Sequence, residues 1–523
     1  MKRLGLYWHT TRHFLPRQLF YQVLNRIRRK PALIIPTTPV AGYPLSFPPP
    51  DKPQSWAEHA FTFLNQTVSF PSQVDWNYAV NGKLWTYNLT YFDFLNQPNL
   101  PPEVGLALIR QFMTQTAHLK DALEPYPTSL RIINWVRFLS YHRCQLPEVN
   151  AHLWSQLRLL AGRLEYHLMG NHLLENGFAL LLGALYFRDR ALYRQGVRVV
   201  TAELKTQVLA DGGHDERSPM YHQILLDRLL DICQVIQRDD WHDDLAIDVF
   251  LVQHAQRMLG WLRPMSFGNG DVPLVNDAAR SIAPTTQQLR EKAQSIGVEP
   301  SLIKLFDSGY RRFGTLYYDF VTDVGPVGPD HQPGHAHADT FNFVLYAAGQ
   351  PVIVDAGTST YAIGARRQWE RSTAAHNTVE VARTDSSEVW GGFRVARRAR
   401  VTLLTDMPSH LVARHDGYQQ LGITHERSWT LVDERTILIK DRLIGKEGCS
   451  GMARIYFHPD IAVSMDAGGI LAGPLRIELS CISMEQVTIG DYQYAEGFNC
   501  LHPSQRLEIP FTSTLEMSLT VQE

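Results

Sequence analysis

The spacing of apolar residues changes period once along this chain, and that single change limits the architectures open to it. From Val104 to about Leu262, apolar residues recur every three or four positions, in 104–119, 130–143, 152–167, 172–187, 191–209, 221–237 and 244–262, which is the period of amphipathic helices. The connections are short, so successive helices run antiparallel and form an all-α layer wrapped on itself. No fixed-length repeat is present, which argues against a solenoid. Near Gly309 the period drops to two. Residues 315–323, 341–348, 351–355, 377–382, 399–405, 410–415, 423–432 and 435–443 alternate as strands, with Val432-Asp433-Glu434-Arg435 as a hairpin turn between two of them. Many short strands without intervening helices pair antiparallel and stack as a sandwich. The expected order is α first and β second, with a cleft where they meet.

A chain of 523 residues exceeds one ordinary core. The division expected is a basic, proline-rich arm over 1–54, a helical domain over 55–305 and a sheet domain over 306–523. With 44% hydrophobic and 20% charged residues, the composition is that of a soluble globular protein. A net charge of -2 provides no general field for a polyanion, so an acidic polymer must be recognised locally. Five widely spaced cysteines without a CxxC pair indicate neither a disulfide framework nor a thiolate metal site.

The first fifty residues hold no Asp or Glu, but carry Lys2, Arg3, Arg12, Arg17, Arg26, Arg28, Arg29 and Lys30 among Trp8, Phe14, Phe20 and Tyr21. Pro16, Arg17 and Gln18 interrupt the only stretch resembling a signal-peptide core, and no later run approaches a membrane span. A cytoplasmic or membrane-peripheral location is expected ahead of secretion, with the periplasm still open. This segment suits peripheral contact with an anionic membrane, contact with a partner, or packing on its own domain. Nucleic-acid binding has no support beyond that charge. Eight prolines over 31–54 suit an extended arm.

Three clusters offer chemistry. In the sheet half, His335-Ala336-His337-Ala338-Asp339 is followed by Val354-Asp355-Ala356-Gly357-Thr358, Tyr361 and Arg371-Ser372-Thr373-Ala374-Ala375-His376-Asn377. If its first piece is extended, His335 and His337 project to one side. His337, Asp355 and His376 make an N/N/O set for zinc or a similar divalent ion, though an isolated histidine is more often a satisfied surface or core residue. In the helical half, Gly170-Asn171-His172 precedes a helix, where Asn171 could serve simply as N-cap. There too, Asp211-Gly212-Gly213-His214-Asp215-Glu216-Arg217-Ser218-Pro219-Met220-Tyr221-His222 forms a turn leading into a helix that carries Tyr221, a residue type that packs there more often than it reacts.

Together and in this order, these motifs resemble the heparinase II/III-like polysaccharide lyases, including their alginate lyase relatives, over roughly residues 75 to 450. The resemblance implies an α+β multidomain fold: an incomplete (α/α) toroid followed by an antiparallel β-sandwich. It also implies β-elimination on a uronate-containing, acidic polysaccharide, with Asn171 and His172 binding the substrate carboxylate, Tyr221 and His335 catalytic, and a structural zinc on His337, Asp355 and His376. A second tyrosine in such enzymes corresponds to Tyr361. The basic N-terminal arm resembles members that make or trim a cell's own exopolysaccharide.

The reaction explains these residue types. Removing the C5 proton beside a uronate carboxylate builds negative charge that donors must spread; Asn171 and His172 are such donors, with Arg366, Arg367 or Arg371 as candidate assistants. Tyrosine is a poor base at its ordinary pKa but needs no help as the acid that protonates O4. Tyr221 is therefore the acid in either stereochemistry, and His335 the base when proton and leaving oxygen lie on opposite faces. Two rival readings remain: an inverting glycoside hydrolase using Asp211, Asp215 or Glu216, and a non-catalytic polysaccharide-binding factor in exopolysaccharide production. The subunit number is not encoded in any pattern here.

Overall fold

The computed structural model describes residues 2–28, 32–445, 448–466 and 468–522. Arg29, Lys30 and Pro31 of the basic and proline-rich stretches lie outside them. Among the described residues, the helices are α1 (Lys2–Thr11), α2 (Pro16–Ile27), α3 (Lys83–Tyr91), α4 (Pro102–Gln115), α5 (Pro125–Tyr141), α6 (Pro147–Ala161), α7 (Gly170–Phe187), α8 (Arg190–Gln207), α9 (Pro219–Arg238), α10 (Leu245–Met265), α11 (Thr286–Ser295) and α12 (Ala365–Glu370). The first strand of the sheet half begins at Tyr310.

The helical half closes around α7. Residues Leu173 to Tyr186 of this helix are all buried, as expected of a helix that is apolar on every side. Its neighbour α8 crosses closely because Gly196 lacks a side chain; a Cβ there would stand 2.8 Å from the Leu181 backbone nitrogen. The proline-rich segment, free of helix and strand, lies along this half, with Ser155 donating to the Ile34 carbonyl, Tyr43 N–H donating to the Tyr186 carbonyl and Lys52 paired with Asp227 at 2.8 Å. Three short strands, Trp56–Ala57, Ala60–Phe63 and Gln66–Ser69, form a small sheet that the sequence pattern does not announce.

The sheet half is a sandwich. One layer is an eight-stranded antiparallel sheet running from Val401–Met407 at one edge to Val463–Asp466 at the other, with Thr436–Ile444 paired to Thr514–Val521 near its centre. Facing it are two four-stranded sheets linked by the pairing of Ile353 with Phe457. The alternation seen in sequence maps onto burial: in Thr514–Val521 every second residue is buried. The predicted turn is present, with Val432 N–H donating to the Thr436 carbonyl.

One strand joins the halves. Phe343–Ala347 is buried on both faces: Phe343, Leu345 and Ala347 face the sandwich core, while Val344 and Tyr346 pack with Trp261, Met265 and Phe267 at the end of α10. A toroid followed by an antiparallel sandwich is thus the observed architecture, and the two halves share apolar packing at the base of the cleft.

Candidate active site

The cleft wall is assembled from helix starts on one side and loops of the sheet half on the other. Ser218 caps α9 by accepting from the Tyr221 N–H, and Pro219 occupies its first turn, so Tyr221 sits near the helix start with its ring in the cleft. Asn171 lies one residue into α7. It is not the N-cap, which is Met169; its N–H donates to the Glu216 carboxylate at 3.1 Å, and its side-chain amide lies 3.4 Å from the other Glu216 oxygen. His172 stacks on Tyr126, ring centres 4.2 Å apart, with Nδ1 3.1 Å from Glu165.

His335 and His337 lie in a loop rather than a strand, yet both rings meet the same carboxylate. His335 Nδ1 is 2.9 Å from one Asp277 oxygen, and His337 Nε2 is 2.8 Å from the other. Arg367 completes the junction with a two-pronged ion pair to Asp277, one arm at 2.7 Å. Burial alone would raise the Asp277 pKa; Arg367 and the two imidazole donors hold it well below the carboxylate range. Asp277 therefore stays ionised, orients both histidines and leaves His335 Nε2 free toward the cleft.

Tyr221 and Tyr361 come together, hydroxyl to hydroxyl, at 3.1 Å, and the Tyr221 ring stacks on His335 with centres 4.0 Å apart. Burial, then the neighbouring Tyr361, keeps the Tyr221 phenol well above its usual range, so it is protonated. Burial lowers the His335 pKa against the opposing pull of Asp277, leaving the ring neutral at pH 7. Glu216 lies 3.9 Å from His335 Nε2; burial and the adjacent Asp215 push its carboxyl up to about 8.

The candidate arginines depart from expectation. Both Arg367 and Arg371 are 1% exposed. Arg371 donates twice to the Ala336 carbonyl, fixing the loop between the two histidines. Arg367 is spent on Asp277 and lies under the Tyr361 ring, 4.9 Å from its centre. Arg366 is tied to Glu370 and the Gln493 carbonyl. Arg367 is committed to Asp277 and the Gly392 carbonyl and Arg371 to the Ala336 carbonyl, so both support the loop that carries His335 and His337. Of the hydrolase carboxylates, Asp211 is 0% exposed and accepts from Ser308 and the Phe306 N–H, whereas Glu216 lies at the site beside Asn171 and His335.

Behind this wall lies a cluster of fully buried polar side chains. His376 Nδ1 is 2.7 Å from Asp355, which also accepts from Asn342 and the Gly357 N–H. His337 and His376 face each other with ring centres 5.3 Å apart, and His337 Nδ1, His376 Nε2 and one Asp339 oxygen are buried without a partner. Unpaired buried nitrogens of this kind are costly unless something coordinates them, so the donor chemistry fits a borderline divalent ion. Asp355 stands as the carboxylate that orients His376, an arrangement common at histidine-ligated metals. Among the described residues, the group whose donor atoms already lie within 4.8 Å of one another is a different one, Glu496, Cys500 and His502, at a hairpin of the sheet half.

Asp277, Glu216 in its hydrogen-bonded role, and Tyr126 are contributions that sequence reasoning missed. Asp277 sits in a loop with no periodic signal, and only the fold brings His335, His337 and Arg367 to it.

Comparison with known proteins supplies an independent line. The heparinase II/III N-terminus family matches residues 159–297, and the heparinase II/III-like C-terminal family matches residues 298–521. The chain is 23% identical over 319 residues to a heparin-sulfate lyase of Bacteroides stercoris and 26% identical over 315 residues to one of Pedobacter heparinus. Each match covers 54% of this chain and 45% of the relative, so the chain spans about half the length of these curated relatives. It is also 25% identical over 316 residues to FtsZ-localized protein C of Caulobacter vibrioides, covering 54% of this chain and 52% of that one. Among solved structures, a crystal structure of heparinase III superposes with a TM-score of 0.65 at 16% identity, covering 86% of this chain and 79% of the other; this likeness carries the fold alone.

Proposed function

The chain belongs to the heparinase II/III-like family, and on that premise we propose that it is a polysaccharide lyase cleaving a uronate-containing polymer by β-elimination, in the service of exopolysaccharide metabolism. The observation that carries the reading is the convergence of Asn171, Tyr221, His335 and Tyr361 on one wall, with a protonated phenol beside a neutral imidazole whose Nδ1 is held by Asp277.

In this reading His335 Nε2 takes the C5 proton, because Asp277 holds Nδ1 and stabilises the imidazolium that forms. Tyr221 gives its phenolic proton to the departing O4, and Tyr361, within hydrogen-bond reach, donates to the phenolate oxygen that Tyr221 is left with. The Asn171 amide, and His172 beside it, spread the charge that builds on the uronate carboxylate. A protonated Glu216 next to Asn171 spares that carboxylate a like-charge neighbour. His337 and His376, the latter oriented by Asp355, would hold a structural zinc, which when bound would tie the His335 loop to the strands behind it.

The experiment is to supply purified protein with alginate, hyaluronan, chondroitin, heparan sulfate and bacterial uronate exopolysaccharides. At least one should yield ultraviolet-absorbing unsaturated ends. Reducing ends without that absorbance would transfer the case to a hydrolase. A second reading, a non-catalytic polymer-binding or assembly factor, draws on the similarity to FtsZ-localized protein C; binding without turnover across the panel would favour it.

A further inference from the structure

The first 28 residues are not used by the chemistry above. Lys2–Thr11 and Pro16–Ile27 of this stretch fold as α1 and α2 and pack by their inner faces on both halves of the molecule. Trp390 Nε1 donates to Thr10, and Tyr7 lies edge-on to the Trp390 ring at 5.0 Å. Arg17 lies over Tyr166 at 3.6 Å. The buried Gln18 amide bridges the halves, donating to the Leu168 carbonyl at 3.4 Å and the His331 carbonyl at 3.1 Å.

The outer faces carry large exposed apolar side chains in register. Leu4 and Trp8 on α1 are 75% and 66% exposed; Phe20, Val23 and Ile27 on α2 are 61%, 58% and 75% exposed. Spacings of three and four residues set each group along one helical stripe. Arg12, Arg17 and Arg26 flank these stripes and are exposed. The first fifty residues carry eight Lys or Arg and no acid, against a net charge of -2 for the whole chain, so the remainder carries -10. The exposed Arg12, Arg17 and Arg26 thus lie on or directly after the two helices that carry these large exposed apolar side chains.

We infer that α1 and α2 form a docking surface for an anionic lipid membrane, lying in the headgroup plane with Leu4, Trp8, Phe20, Val23 and Ile27 turned into the lipid. Helices of 10 and 12 residues are too short to span a bilayer, which takes ~20, but suit its interface. A lipid surface satisfies both features at once, since acyl chains take the apolar stripe and anionic headgroups take the arginines. A second copy of this chain would instead set two cationic rims against each other. Leu168 and His331 lie three and four residues before Asn171 and His335, so docking would hold the cleft at the membrane and favour a polymer presented there. The inference stands apart from the lyase reading, because lipid binding is measured without any polysaccharide.

The test is sedimentation of the full chain with vesicles of phosphatidylcholine alone and of phosphatidylcholine mixed with phosphatidylglycerol. Binding is expected only to the anionic vesicles and should weaken as salt rises. A Leu4→Gln/Trp8→Gln/Phe20→Gln/Val23→Gln variant should bind at least ~10-fold more weakly with an unchanged melting temperature, since these side chains are exposed. An Arg12→Gln/Arg17→Gln/Arg26→Gln variant should lose the salt-sensitive part. Failure of the wild type to bind anionic vesicles at low salt would overturn the inference, as would undiminished binding by the apolar variant. Concentration-dependent self-association that the apolar variant abolishes, without vesicle binding, would reassign the face to a second copy.

Discussion

Two histidine clusters stand back to back in this molecule, and a single carboxylate sets them apart. In front, Asp277 holds His335 through Nδ1 and leaves Nε2 toward the cleft; behind, it holds His337 through Nε2 and leaves Nδ1 buried without a partner on the side of His376. The same residue type, two positions apart in sequence, therefore has its open nitrogen toward the cleft in one case and fully buried in the other. A free lone pair facing a cleft suits proton transfer, whereas one fully buried suits a metal or remains an energetic cost. The position of the acceptor, more than the identity of the imidazole, decides the role.

The largest effect should come from the front cluster. On a polymer that the wild type eliminates, Tyr221→Phe should lower kcat ~100- to 10,000-fold, with less than ~1.5 kcal/mol change in stability because the ring volume is kept. Single-turnover kinetics alongside denaturant unfolding check both halves of the claim. A near-normal rate would move the acid to Tyr361.

Next comes the shared carboxylate, where front and back should fail together. Asp277→Asn leaves the buried Arg367 without its counter-charge, a change that typically costs ~3–5 kcal/mol, and unfastens His335 as well. Equilibrium unfolding and rate should both drop; a variant that loses rate but keeps full stability would show that Asp277 serves the front alone.

The back cluster by itself should behave as structure. His376→Ala should abolish an approximately stoichiometric divalent metal, measured by elemental analysis, and lower the melting temperature. Chelation should lower the wild-type melting temperature and leave that of the variant unmoved. A fully stable wild-type protein free of metal would break the contrast.

The smallest effect concerns Glu216, which touches only the front. Its carboxyl is raised to about 8 from an ordinary 4.5, so the native state holds this proton more tightly than the unfolded chain. Stability from this group is thus fully present below about pH 4.5 and falls as pH rises toward 8. Glu216→Gln should flatten that decline, raising the melting temperature more at pH 8 than at pH 5. Parallel pH profiles for the two proteins would sink the assignment.

Much of the fold is visible in the residues because burial on one face imposes a period. The helical runs from 104 to 262 and the strands from 315 to 443 follow that rule. The exceptions have physical causes. The strand Cys500–Thr512 contains Pro503 and Pro510, residues that argue against a strand inside a sheet. It forms because each proline is paired on one side only, Pro503 with Gln493 and Pro510 with Met452. The helices α1 and α2 were expected as a basic arm, since their apolar residues face outward and obey no core.

By itself, then, the sequence determined the order of the layers and the approximate place where helix gives way to sheet, because periodicity is a property of neighbours along the chain; it proposed Asn171, Tyr221, His335, His337, Asp355 and His376 as site residues through the order of their motifs. Only the tertiary structure decided that Arg367 and Arg371 brace the site from within, that Asp277 joins its two halves, and that Glu216 lies against Asn171. Those contacts link Asp277 with His335, His337 and Arg367, and Glu216 with Asn171, across sequence separations of 45 to 90 residues. No local pattern encodes which buried charge will find which partner, because that choice is made by desolvation, which acts only once the halves have closed.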